Sequence, residues 1–241
     1  MPYKGMLIKH FIFLVKDFLF PTACALCGGS LTGISEIQYG LCDQCRSGTA
    51  CVAGEKCNLC GKPLISERDV CLPCRNGEEK SYDRLWTLFP YTGKFRKLLK
   101  SYKFAKNLPL ADFFAEKILE LFNANPVLRD AHIVPVPPRP GKIKDTGWDQ
   151  IDCLVKRLEK IYGGGAFLRC LKRRKSKVQK QLGRIERMEN LKGRIYLCAK
   201  APKTVLVIDD VITTGSTMEE CSAVLKAGGA EKVYGLCLFY N

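Results

Sequence analysis

The spacing of apolar positions divides the chain into elements before any chemistry is considered. Val205, Leu206, Val207 and Ile208 form an unbroken, largely β-branched run, as expected of a central parallel strand buried on both faces. Residues 131–136 predict a second buried strand and residues 232–239 a third, so an α/β fold with a mostly parallel sheet and helices on both faces is expected. Residues 94–106 place Phe95, Leu98, Leu99 and Tyr102 on one helical stripe, and residues 218–227 predict a helix stopped by Gly228-Gly229. Near the N-terminus, Leu7, Phe11, Leu14 and Phe18 share one face of residues 6–20, opposite Lys9, His10, Lys16 and Asp17, and Pro21 stops the pattern. Its longest uninterrupted apolar run, residues 11–15, falls far short of the roughly 20 residues needed to span a bilayer. An amphipathic helix is expected there, with no transmembrane span and no secretory signal; it docks on the protein's own core or touches a membrane surface or a partner.

Composition sharpens this picture. With 46% hydrophobic residues among 241, the chain can bury a core and is not a disordered one. Its net charge of +15 is uneven: residues 1–80 carry +1, residues 81–203 carry +17 and residues 204–241 carry −3. A concentrated positive field favours phosphate-bearing partners: nucleotides, nucleic acid or an anionic membrane. The candidate nucleic-acid contacts are Lys94, Arg96, Lys97, Lys100 and Lys103, interleaved with aromatics, and Lys172, Arg173, Arg174 and Lys175. The latter open residues 169–187, which hold nine basic residues and one acid without sustained apolar periodicity and predict a mobile loop. Trp86 and Trp148 offer further stacking surfaces.

Nine of the fourteen cysteines lie between Cys24 and Cys74, and that segment repeats itself. CALCGGSL at 24–31 matches CNLCGKPL at 57–64, and each is followed by a second pair, Cys42 and Cys45 before Arg46, then Cys71 and Cys74 before Arg75. Paired cysteines two residues apart can place both sulfurs on one metal, and Gly28 or Gly61 after each first pair frees the backbone to turn its amides toward them. Two structural zinc sites, each held by a quartet of cysteines, are expected, with Cys51 left over. Sequential pairing, Cys24, Cys27, Cys42 and Cys45 in one site and Cys57, Cys60, Cys71 and Cys74 in the other, and a cross-braced arrangement both fit the spacing.

The chemistry concentrates in residues 204–220. A buried strand ends in Asp209 and Asp210, then Thr213, Thr214, Gly215, Ser216 and Thr217 lead into a helix. A hydroxyl-rich turn at a helix N-terminus presents N–H groups to a phosphate, and the acids can accept hydrogen bonds from vicinal ribose hydroxyls. A 5-phosphorylated ribose fits both halves.

VIDDVITTGST at 207–217 resembles the phosphoribosyl pyrophosphate (PRPP) motif of type I phosphoribosyltransferases. The cysteine-rich N-terminus ahead of it resembles the ComF family, of ComFC and GntX type. The likeness extends to Tyr91-Thr92-Gly93, Leu98-Leu99-Lys100, Lys103-Phe104, residues 133–137, Gly147-Trp148-Asp149-Gln150, and Gln179, Leu182, Arg187 and Asn190. Where that family usually has Arg-Gly-Phe-Asn-Gln, this chain has Thr146-Gly147-Trp148-Asp149-Gln150, losing a cation and an amide. The resemblance implies a PRPP site with magnesium in which Asp209 and Asp210 are the catalytic acids and residues 213–217 hold PRPP. Arg139 and Lys142, in a proline-stiffened turn, would bind its pyrophosphate, and residues 169–187 would close over it. It further implies a cytoplasmic factor in DNA uptake for natural transformation, binding single-stranded DNA and meeting a DNA-uptake helicase or channel proteins at the inner face of the membrane. An active phosphoribosyltransferase in nucleotide salvage is the alternative. Three units are expected: an N-terminal helix at 1–22, the zinc ribbons at 23–80 and the PRPP-binding domain at 81–241.

Overall fold

The computed structural model describes residues 23–49, 55–77, 79–162, 167–175 and 193–241. The predicted N-terminal helix, Cys51, and Gln179, Leu182, Arg187 and Asn190 lie outside the described residues. Four strands, β1 (Arg84–Pro90), β2 (His132–Pro135), β5 (Thr204–Ile212) and β6 (Lys232–Tyr240), form one sheet in the order β1-β6-β5-β2. Every pairing in it is parallel. A second, two-stranded antiparallel sheet joins β3 (Leu171–Arg173) to β4 (Ile195–Leu197).

Period-two alternation along β5 assigns the layers. Leu206 and Ile208 join a core built with helices α1 (Gly93–Lys103), α2 (Leu110–Ala124) and α3 (Gln150–Tyr162), through Leu98, Phe113, Phe114, Ile118, Leu154 and others. Val205 and Val207 face the other way, onto Met218, Cys221 and Leu225 of α4 (Ser216–Ala227). Phe89 of β1 is the aromatic hub of the first core, with ring centroids 5.1 Å from Phe95, 5.7 Å from Phe239 and 6.0 Å from Phe113. Leu98, Leu99 and Tyr102 are buried, as their spacing on α1 requires.

Two expectations are corrected. The central strand does not stop at Asp209: it runs to Ile212, because β6 is long enough for Asp209, Val211 and Ile212 to pair with Cys237, Phe239 and Tyr240. The two acids therefore sit inside a paired strand, where successive side chains point to opposite faces. The start of the expected mobile loop is ordered as well: Leu171 and Ile195 are buried, which pins β3 to β4, and Arg169 pairs with Asp152 and Glu159 of α3.

β1 is an edge strand, and an open parallel edge invites pairing with another chain. The second zinc ribbon covers it. The Leu85 amide donates to the Leu59 carbonyl (2.9 Å), the Thr87 hydroxyl to the Gly61 carbonyl (2.8 Å), and Lys56 Nζ to the Thr87 carbonyl (2.5 Å). Gly61 has φ +69°, and a Cβ there would lie 2.7 Å from the Leu85 oxygen, so the clip needs glycine at this position.

Candidate metal and phosphate sites

The cysteines gather as two sets, Cys24, Cys27, Cys42 and Cys45, and Cys57, Cys60, Cys71 and Cys74, with the sulfurs of each within 4.8 Å of one another. Pairing is sequential, which resolves the alternative the spacing left open. Cys27 and Cys42 Sγ are 3.8 Å apart, and Cys60 and Cys71 Sγ 3.6 Å. A tetrahedron with metal–sulfur bonds of about 2.3 Å has edges of about 3.8 Å, so the donor sets fit zinc. Burial opposes ionisation of Cys24, but the backbone amides of Cys27, Cys42 and Leu26 outweigh it and hold the thiol down to about 6; the amides of Cys60, Cys71 and Leu59 bring Cys57 to about 7. Cys45, Cys60 and Cys74 go the other way, pushed up by burial and by the neighbouring sulfurs, so each all-sulfur set holds one thiol poised to ionise. The repeated arginines have diverged. Arg46 pairs with Glu116 of α2 at 2.6 Å and stacks on Tyr39, while Arg75 donates to the Val70 and Arg68 carbonyls within its own ribbon.

Around the C-terminal half of β5 lies a chain of alternating charges. Asp210, 6% exposed, accepts from Lys103 Nζ at 2.6 Å and from Gln150 Nε2 at 2.6 Å, both through Oδ2. Gln150 Oε1 in turn accepts from Lys142 Nζ at 2.5 Å, and Lys142 also meets Asp149 Oδ2 at 2.5 Å. Asp149 Oδ1 accepts the Asp152 amide at 2.8 Å, capping the first turn of α3. Burial alone would raise the Asp210 carboxyl; Lys103, Gln150 and Lys142 overcome it and hold the group below the usual carboxylate range.

Asp209 takes the opposite face. Half-buried, it lines a small pocket with Val211, Ile212, Cys237 and residues 213–218. Desolvation and the neighbouring charge of Asp210 push its carboxyl up to about 8. Across the pocket lies the start of α4. Gly215 adopts φ +78° as the N-cap of α4 and offers no side chain of its own, the Ser216 amide donates to Thr214 Oγ1 at 3.4 Å, and Thr214 Oγ1 lies 2.7 Å from Ser216 Oγ. Arg173, half-buried on β3, lies within electrostatic reach of Asp209 and Cys221.

The predicted cations are mostly engaged. Lys94 and Lys97 donate to the carbonyls of Gly48 and Leu26 and so tie α1 to the first ribbon. Arg96 lies over the Tyr91 ring and Arg174 over Tyr196. Arg139 pairs with Asp145 at 2.7 Å, both exposed. Lys100, Lys172 and Lys175 are solvent-facing. Lys103, expected on nucleic acid, faces Asp210 instead, and Gln150 and Asp149 join the network without having been singled out as ligands. An Asp-x-x-Asp start to an apolar helix after Gly147 is a capping signal that would have located them.

A family model for the double zinc ribbon domain matches residues 15–75. Competence protein ComFC of Streptococcus pneumoniae is 27% identical over 222 residues, covering 87% of this chain and 96% of that protein. The chain is thus similar, over most of its length, to a protein named for competence. Competence protein F of Haemophilus influenzae is 26% identical over 89% of this chain and 95% of its own length. The DNA utilization protein YhgH of Escherichia coli is 27% identical over 83% and 96%. Each of these likenesses covers more than four fifths of this chain, well beyond the ribbons alone. Among the described residues no helix is long and apolar enough to cross a membrane.

Proposed function

We propose that this protein is a ComF-type factor acting in DNA uptake for natural transformation, binding PRPP with magnesium at the β5–α4 turn and single-stranded DNA on its basic surface. The single observation that carries the reading is the division of labour between adjacent acids: Asp209 borders the pocket of residues 213–218, while Lys103 and Gln150 hold Asp210 ionised beside it.

In this reading the first-turn amides of α4, with the Thr214 and Ser216 hydroxyls, take the 5-phosphate. Asp209 and Asp210 accept from the ribose hydroxyls. Lys142 and Arg139 exchange their carboxylate partners for the pyrophosphate. Magnesium, when bound with PRPP, supplies charge neutralisation at the pyrophosphate. The names of the relatives support the DNA-handling part, and the +17 balance of residues 81–203, larger than one small anion requires, supports nucleic acid as a second ligand. We assign the working units as 1–22, 23–80 and 81–241, in the cytoplasm, with contact to DNA-uptake machinery at the membrane's inner face. Anisotropy of labelled single-stranded DNA across a salt series, with and without magnesium and PRPP, tests both halves. Salt-sensitive binding that shifts with PRPP supports the reading, and its absence at physiological salt with base-dependent pyrophosphate release would favour a salvage transferase instead.

A further inference from the structure

Of the three aromatics on and just after α1, two are core: Phe95 stacks on Phe89 and Tyr102 is fully buried. The third, Phe104, is 70% exposed. A lone exposed apolar side chain needs no explanation on a neutral surface. This one ends a row of cations: Arg96, Lys100 and Lys103 follow one another at i, i+4 and i+7 along α1, and Lys103 is the residue that reaches Asp210. The turn that presents Phe104 is held firmly. Its amide donates to the Lys100 carbonyl at 2.9 Å, the Asn107 amide to the Ser101 carbonyl at 3.2 Å, and Asn107 Nδ2 reaches Ser101 Oγ. Lys106 holds φ +54° in the same turn. The backbone is fixed while the ring stands in water, a pre-organised flat surface beside positive charge.

We propose that Phe104 is a base-stacking platform for single-stranded DNA, with Arg96 and Lys100 carrying the adjacent phosphates, so that the strand is led to the mouth of the Asp209–Asp210 site. The inference rests on the DNA-binding part of the function proposed above and adds where and how a base is held. Stacking on an aromatic ring is tolerant of base identity, which suits a protein that must accept any sequence.

The test uses the full-length, zinc-loaded chain and a labelled oligo(dT), alongside the same oligonucleotide with abasic sites. Phe104→Ala should weaken oligo(dT) binding by about 5- to 150-fold. It should leave the slope of affinity against salt unchanged, because stacking releases no counterions, whereas Lys100→Ala should lower that slope. Phe104→Tyr should retain affinity, and the abasic strand should bind wild type and Phe104→Ala alike. An affinity within twofold of wild type for Phe104→Ala, or an equal loss on the abasic strand, overturns the stacking role. Wild type that binds no single strand even at low salt overturns the DNA reading and the platform with it.

Discussion

Lys103 Nζ lies 2.6 Å from Asp210 Oδ2, joining residues 107 positions apart across the face of the sheet. The pair converts what the sequence presents as a basic surface into part of the acid site, and it sets the charge state of the strand end.

Lys103→Met should leave Asp210 buried with Gln150 as its remaining donor. Because Lys103 is 32% exposed, the cost should fall below that of a fully buried pair, at about 1–3 kcal/mol, read as a lower urea midpoint at pH 7. The folded-state carboxyl is depressed, so its contribution is present above the unfolded value and lost as pH falls. The gap between variant and wild type should narrow from pH 7 toward pH 4, where protonation relieves the unpaired charge. A gap that widens on acidification would contradict the pairing.

Asp209 carries the opposite sign. Its folded carboxyl is raised to about 8 by burial and by Asp210, so the ionised form destabilises the ligand-free protein as pH rises from the usual carboxylate range toward about 8. The melting temperature of wild type should fall between pH 5 and pH 9 relative to Asp209→Asn. PRPP binding at neutral pH should release a proton, detected by calorimetry in buffers of different ionisation heat. Parallel melting profiles for the two proteins would remove this assignment.

The second ribbon is a cover for the β1 edge as well as a metal site. Elemental analysis should find two zinc ions per chain. Chelation should release Leu59 and Gly61 from β1 and lead to self-association, followed by light scattering. Gly61→Ala, with positive φ and a contact 2.7 Å from the Leu85 oxygen, should weaken the clip by about 1–3 kcal/mol while both cysteine sets remain. A variant as stable as wild type would show that the clip contributes nothing.

What could be read from the sequence follows from where the signal is local. Val205–Ile208 announces a central strand because both its faces are buried, and the doubled CxxC pairs announce their metal because ligands two residues apart share one ion. β1 was less legible. It shows no clean alternation, and part of its burial comes from a ribbon that precedes it and clips its edge. The cations of α1 were legible as charge but not as partners: Lys94, Lys97 and Lys103 find theirs at Gly48, Leu26 and Asp210, which only the tertiary fold brings near. The sequence also placed Asp209 and Asp210 as a joint pair, whereas the strand's pleat, continued to Ile212, sends them to opposite faces with opposite pKa shifts.

A PRPP site built on Asp209 and Asp210 makes a calorimetric demand. Its most direct test is calorimetric titration of PRPP with magnesium into wild type and into the Asp209→Asn/Asp210→Asn variant, with circular dichroism to verify folding. Wild type should bind, and a folded variant should bind at least tenfold more weakly, about 1.4 kcal/mol or more. Equal affinity for both proteins, or no heat from wild type at any pH between 7 and 9, would contradict it.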